Sequence, residues 1–175
     1  MTSNYEILAD GRRYTLTTPI PPEHLSTTIW EWFQTFWKQM VNDPMPQTRD
    51  GIAAWMESCT AKGGKSYFAL DENGQPVGAI WGEAGEDNIH IVHLVFARHR
   101  LSREAKLAIA KAALRQYFAD GARKLSWAMY ADNRPCIDFL KELGASVEGT
   151  LRKVTRRDGQ LMDVVLMATF PEDLT

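Results

Sequence analysis

Two strand-like runs flank an Asp-Gly pair in YEILADGRRYTLT, the pattern of a tight antiparallel hairpin. From Pro22 to Met40, Ile29, Phe33, Phe36 or Trp37, and Met40 recur at helical spacing behind a Pro and a Glu, which predicts a first amphipathic helix. After the breaker stretch NDPMPQTRDG, the run IAAWMESC predicts a shorter second helix, closed by AKGGK. SYFAL and QPVGAIWGE bracket the turn DENG and form a second hairpin. The β-branched run NIHIVHLVFA, Asn88 to Ala97, has the composition of a buried central strand.

Downstream, Ser102 is a suitable N-cap for a third helix that runs to about Asp120, with Glu104 in its first turn and Gly121 just beyond its end. KLSWAMY is the next strand, and RPCIDFLKELG is a helix with Pro135 in its first turn and Gly144 as terminator. A helix that joins two strands of one sheet makes them parallel, so the strands before and after helix three are expected to run the same way. VEGTLRKVT, the turn RRDGQ and LMDVVLMATF close the chain as an antiparallel hairpin.

No repeat, low-complexity stretch or linker divides these elements, so a single domain over residues 1–175 is expected, and an apolar share of 45% supplies a sizeable core. The net charge of -2 gives no broad attraction to nucleic acid or to anionic membranes. Arg98, Arg100, Arg103 and Lys106 nevertheless form one concentrated basic patch, so an anionic partner would be small and local. No apolar run is long enough to span a bilayer and MTSNYEILADGRRY lacks the regions of a secretory signal; a cytoplasmic protein is expected. Cys59 and Cys136 lie far apart and outside any metal-ligand spacing, which leaves free thiols and no metal site.

FARHRLSREAKLAIA joins the end of a strand to the start of a helix through a basic loop. Such a junction presents unpaired amides to a phosphate, usually through glycines, and this one has none. Two readings follow: an anion site completed by Arg98, Arg100 and Arg103, or a solvated basic turn on a crossover helix.

The whole order (hairpin, two helices, three strands, helix, strand, helix, hairpin) resembles that of the GNAT superfamily of N-acetyltransferases. ADNRPCIDFLKELGASVEG resembles the family's strand-to-helix segment. LRKVTRRDGQLMDVVLMATFPED resembles the last hairpin of the ribosomal-protein N-terminal acetyltransferases of the RimJ and RimL type, including Asp163 before the apolar run. The resemblance extends from about residue 12 to residue 172. It implies an α+β, three-layer fold with a mixed, mostly antiparallel central sheet, a splayed parallel strand pair and flanking helices. It also implies acetyl-CoA as cosubstrate, lying where the two parallel strands diverge. The pantetheine arm would then pair with the backbone along Val95, Phe96 and Ala97, through Val95 and Ala97. The family's pyrophosphate loop reads Gln or Arg, two residues, Gly, one residue, then Gly or Ala. Here it aligns with Arg100, Leu101, Ser102, Arg103, Glu104 and Ala105; Arg100 and Ala105 match, and Arg103 stands in place of the central Gly. Asn133 aligns with an Asn that contacts the cofactor arm, although an Asn at a strand-to-helix junction is also an ordinary cap.

Acetyl transfer to an amine requires removal of a proton from the amine, polarisation of the thioester carbonyl and a proton for the departing thiolate. His93 is the base candidate: it lies two residues before Val95, in phase with Ile91, and imidazole titrates near neutrality. His90 points to the opposite face. A hydrogen-bonded histidine on a half-buried strand is the alternative for His93. Glu83, Glu86 and Asp87, placed in the loop before that strand, bind a cationic acceptor or form a solvated turn. Many family members have a Tyr acid where this chain has Leu140, so the acid candidates are Cys136, with a thiol lowered by the helix start, and Tyr130. For Cys136 a small buried hydrophobe is the competing reading. Trp37 and Phe33 are assigned to packing, and Trp30 or Trp32 to the acceptor groove.

The expectation is therefore an acetyl-CoA-dependent N-acyltransferase acting by direct transfer on an amine, either a small molecule or a protein N-terminus. The alternative is a catalytically inactive GNAT-fold binding or structural protein, of viral or mobile-element origin, as the departures at Arg103 and Leu140 would allow. A homodimer through the last hairpin is compatible with both. A nucleic-acid-binding module fits the acidic balance poorly.

Overall fold

The computed structural model describes residues 3–20, 27–36, 48–97 and 99–174. β1 (Ser3–Ala9) and β2 (Arg12–Thr18) make the first hairpin. Its turn residues Asp10 and Gly11 both have positive φ, 46° and 75°, as a two-residue turn between right-twisted strands requires. α1 (Thr28–Phe36) lies within the first expected helix, whose outer parts, Pro22–Ser26 and Trp37–Met40, fall outside the described residues. α2 (Arg49–Ala61) is capped by Thr48. β3 (Ser66–Asp71) and β4 (Pro76–Ala84) form the second hairpin, where Asp71 Oδ1 accepts from the amides of Asn73 and Gln75.

β5 (Ile89–Phe96), α3 (Arg103–Ala119) and β6 (Lys124–Tyr130) form the parallel crossover, followed by α4 (Arg134–Glu142) and the closing hairpin of β7 (Ser146–Arg157) and β8 (Gln160–Thr169). Ser102 caps α3 by accepting from the Ala105 amide at 3.0 Å, an interaction worth about 1 kcal/mol. Gly121 and Gly144 follow α3 and α4 where the sequence places the terminators.

One eight-stranded sheet runs in the order β1-β2-β3-β4-β5-β6-β8-β7, antiparallel at every step except between β5 and β6. With the four α-helices found among the described residues, this is the expected α+β architecture of a mixed sheet with a single parallel pair. The period-2 alternation of the strands divides the core between the two faces. Val92 and Phe96 of β5 pack with α3 and α4, against Ile109, Leu114 and Leu140. Val95 packs on the other face with Trp81, Phe68 and the α1 and α2 residues Ile29, Phe33, Ile52 and Met56.

The parallel pair does not stay together. β5 and β6 are paired only at Ile89 with Lys124, His90 with Leu125 and Ile91 with Ser126. Beyond Ile91, β5 is bonded only to β4, and β6 only to β8. A wedge therefore opens in the middle of the sheet, so the strand expected to be buried throughout has Ile91 45% exposed. Gly78 of β4 helps shape the wedge, because a Cβ there would lie 2.6 Å from the Phe96 ring that borders it.

β7 is the outer strand, with Val147, Leu151 and Val154 exposed. A bulge between Leu151 and Thr155 places Lys153 at φ 52°, and Asp163 Oδ1 accepts the Lys153 amide at 2.8 Å. The acidic residue before the last apolar run thus secures the bend of the facing strand. No helix among the described residues is long and apolar enough to cross a membrane.

Candidate active site

In an antiparallel ladder, alternate residues point their backbone groups to the same neighbour. The Ala97 amide donates to the Val77 carbonyl at 2.9 Å, and the β4–β5 register continues without a shift from Phe96 to His90. The odd-numbered residues of β5, Val95 and His93 included, therefore bond to β4. The even-numbered residues Val92, Leu94 and Phe96 present their N–H and C=O groups to the wedge. This corrects the expected pairing: Val95 and Ala97 are committed to β4, and of the three residues expected along the arm only Phe96 offers its backbone to the gap. The sequence shows the alternation but not which parity faces which neighbour.

A cavity of about 540 Å³ occupies the wedge and passes from one face of the sheet to the other. On the α1/α2 side its walls are Phe33, Trp81, Ile91, His93 and Val95. On the α3/α4 side they are Leu94, Phe96, Trp127, Met129, Cys136, Phe139 and Leu140, with Asn133 and Pro135 from the start of α4. Trp127 is held in place by an indole hydrogen bond to Thr169 Oγ1 at 3.1 Å. His99, Arg103 and Lys106 border the cavity at the basic loop and the first turn of α3.

His93 is directly opposite Trp81 in the register, and the two rings stack with centroids 5.3 Å apart. Trp55 of α2 meets the His93 ring edge-on at 5.2 Å. Glu83 is part of β4 rather than of the following loop, on the same face as Trp81, and its Oε1 lies 3.2 Å from His93 Nε2. The His93 hydrogen bond holds the Glu83 carboxyl below the usual carboxylate range, against the opposing effect of burial. His90 lies on the other face, buried against Tyr117. Burial holds its pKa down.

At the basic end, the side chains expected to hold a phosphate are largely engaged. Besides capping α3, the Ser102 hydroxyl donates to Asp10 Oδ2 at 2.7 Å, and Glu104 Oε1 accepts the Asp10 amide at 3.3 Å. The turn of the first hairpin thus leans on the start of α3. The Ala105 amide is taken by the cap. Arg103 reaches across to α4, where Nε and Nη2 bond Glu142 at 2.6–3.2 Å and the guanidinium lies 5.7 Å from the Phe139 ring centre. The Ser102 hydroxyl, the Glu104 carboxylate and the Ala105 amide are therefore engaged within this junction. The amides of Arg103 and Glu104 have no acceptor among the described residues. Arg100 is exposed and does not border the cavity, whereas Arg98 lies outside the described residues. His99 and Lys106 were missed as site residues: both border the cavity and neither has an ion-pair partner among the described residues. Lys106 was visible in the basic patch, one helical turn after the cap.

The acid candidates separate. Cys136 borders the cavity, and burial raises its thiol pKa, opposite to the lowering expected from the helix start. Tyr130 does not border it: its hydroxyl is 3.5 Å from the Arg156 carbonyl and its ring lies under Arg157, which is paired with Asp132. The last hairpin covers Tyr130, a contact between distant segments with no local signal. Asn133 is the N-cap residue of α4 by its backbone, makes no side-chain capping bond and borders the cavity. Phe33, assigned to packing, is both buried and a cavity wall; Trp30 and Trp32 pack on the α1/α2 core instead of bordering the cavity, and Trp37 lies outside the described residues.

The arrangement has known counterparts. The model of the acetyltransferase (GNAT) family matches residues 26–145, more than half of the chain. No curated protein sequence matches it. Among solved structures it is similar to Mycobacterium smegmatis RimJ in complex with CoA-disulfide, with a TM-score of 0.78 at 16% identity over 99% of this chain and 89% of that one. A spermidine N-acetyltransferase from Vibrio cholerae, in complex with CoA and spermine, gives 0.79 at 14% identity over 92% and 97%. The ribosomal-protein-S5-alanine acetyltransferase from Vibrio fischeri gives 0.74 at 13% identity, over 99% of each chain. At these identities the likeness is one of fold, and together with the family match it places the splayed sheet and its cavity in a known class: the chain belongs to the GNAT acetyltransferase family.

Proposed function

We propose that the chain transfers the acetyl group of acetyl-CoA directly to an amine within the cavity of the wedge. The carrying observation is that this one cavity joins two chemically different ends, a basic helix start at α3 and His93 on the opposite face. Acetyl-CoA supplies the thioester. The residues fit its shape and charge: an unpaired strand edge takes an extended amide-bearing arm, and cations with free amides receive phosphate. The N–H groups of Val92, Leu94 and Phe96 hold the arm and polarise the carbonyl. Lys106, His99 and the amides of Arg103 and Glu104 receive the phosphates, and Asn133 contacts the arm.

The acceptor enters from the α1/α2 side. His93 takes the proton as the amine nitrogen bonds to the carbonyl carbon; the C–S bond then breaks. Cys136, kept protonated by its burial, gives its proton to the departing sulfur beside Leu140, and the proton held on His93 returns through solvent to the Cys136 thiolate as the products leave. The acceptor is a small amine or a protein N-terminus.

A specific contact favours a second reading, a GNAT-fold protein that binds without catalysing: Arg103 is tied to Glu142 beside the phosphate end. The two readings part on acetyl-CoA. Under the first, a ligand at a hundred times its Kd stabilises by about 2.7 kcal/mol, a rise of several degrees in Tm. Free thiol then accumulates with spermidine or an alanine-initiated peptide as acceptor, and His93→Ala lowers kcat by roughly a hundredfold or more while leaving acetyl-CoA affinity within about twofold. No thermal shift at millimolar acetyl-CoA overturns the transferase reading in favour of the second.

A further inference from the structure

His93 borders the cavity, but Glu83 and Trp55 do not. Both stand behind it. Trp81 stacks on one face of the imidazole and Trp55 meets it edge-on, so the ring has little freedom to turn. The Trp55 side chain also helps to lower the Glu83 carboxyl, as the smallest of the influences on it. An ionised carboxylate only accepts, so the contact at 3.2 Å has Nε2–H donating to Glu83 Oε1. In the neutral ring that bond leaves the lone pair on Nδ1.

We infer that Glu83 is a positioning residue, which holds the Nε2–H tautomer of His93 from behind and leaves Nδ1 as the nitrogen that meets the amine. The inference rests on the transferase reading, for which His93 is the base. Amine proton to Nδ1 creates an imidazolium whose second N–H already faces a carboxylate, so charge develops next to its counter-charge in a site walled by indole rings. Glu83 itself stays ionised and gives up no proton. The other ionisable neighbours on this face are Lys62, just after α2, whose charge lowers the Glu83 carboxyl, and Cys59 of α2, on which the Glu83 charge acts; the α1 residue that packs here is Phe33, and Glu31 of α1 is exposed. Burial, aided by the Glu83 charge, pushes the Cys59 thiol up to about 11, so it contributes no charge near neutral pH.

The test combines ring ¹⁵N NMR of histidine-labelled protein with kinetics. The His93 signals are assigned by their loss in His93→Asn. Expected in the wild type is a neutral His93 protonated at Nε2, recorded without any acetyl donor. In Glu83→Ala the tautomer shifts toward a mixture and kcat falls about tenfold with KM changed less than twofold. In Glu83→Gln, which keeps the volume and guards against a folding defect, the side-chain amide can donate as well as accept, so the preference for the Nε2–H tautomer weakens and kcat falls in step. A wild-type His93 protonated at Nδ1, or variants with unchanged tautomer and unchanged kcat, overturns the inference. Absence of turnover in the wild type together with the Nε2–H tautomer would instead sink the transferase reading alone.

Discussion

The two ends of the cavity reach their chemistry by opposite routes. At the His93 end the polar group in the cavity wall is one side chain, and its neighbours hold it: Trp81 by stacking, Trp55 by its edge, Glu83 by a hydrogen bond. At the α3 end the side chains named by the basic loop are spent on one another, Ser102 on Asp10 and on the cap, Glu104 on the Asp10 amide, Arg103 on Glu142. What remains there for a ligand is backbone amide, Lys106 and His99. A basic, loop-rich sequence is thus a poor guide to which cations are free, whereas a histidine on a strand keeps its facing residue whatever the loops do.

Backbone parity is the sharpest part of that comparison, since the wedge end of the site depends on it, and proline substitution breaks it most strongly. Val95→Pro removes an N–H from the β4 ladder in the middle of the sheet and is expected to be strongly destabilising, lowering Tm sharply. Leu94→Pro removes an N–H that faces the gap, the position a strand edge tolerates, so Tm falls far less while acetyl-CoA binding is lost by more than tenfold. Calorimetric unfolding and titration on both variants check this. Equal destabilisation by the two prolines would show that Leu94 is bonded within the sheet and that the parity assignment is wrong.

The pattern in the sequence explains why parity was out of reach while so much else was legible. The hairpin turn at Asp10 and Gly11, the Ser102 cap, the glycine stops after α3 and α4 and the parallel crossover all follow from local rules, and each stands where its residues put it. His93 and Cys136 as cavity residues follow from alternation and from the position of the helix start. The pairing of Glu83 with His93 was legible in principle, because a continuous hairpin register places residue 83 diagonal to residue 93 on one face. It was missed because GEAGED reads as a turn and the strand continues into it as far as Ala84. The engagement of Arg103 with α4 and the covering of Tyr130 by the last hairpin join segments about 25 to 40 residues apart, where no periodicity carries information.

The phosphate end gives the next effect in size. Lys106 borders the cavity without an ion-pair partner among the described residues, so its charge is available to an anion. Lys106→Ala is expected to weaken acetyl-CoA about tenfold, the worth of one charge-assisted contact, and to leave kcat at saturation unchanged. Titration at two salt concentrations checks the charge term, because the deficit should shrink as salt rises. Arg100→Ala, at a residue that does not border the cavity, should change the same affinity less than twofold; a larger loss would return the site to the basic loop.

The smallest effect bears on whether Arg103 blocks the phosphate end or waits there. Its guanidinium and the Glu142 carboxylate are both about half exposed, and the pair holds Glu142 below the usual carboxylate range through the Arg103 hydrogen bonds. Such a pair is weakly held in water, so its rupture costs a ligand little. Glu142→Ala removes a negative charge beside the cavity and releases Arg103 toward it, and acetyl-CoA should bind about threefold more tightly. Protonation does the same work: because the folded carboxyl titrates below its usual range, the pair persists through neutral pH and is lost only as pH falls through that lowered value. The gain from Glu142→Ala should therefore be full at neutral pH and vanish in acid, where the wild-type carboxyl is already neutral. Titration across that range decides the point, since a loss of affinity in Glu142→Ala would mean that Arg103 must be held against α4 for the phosphate end to form at all.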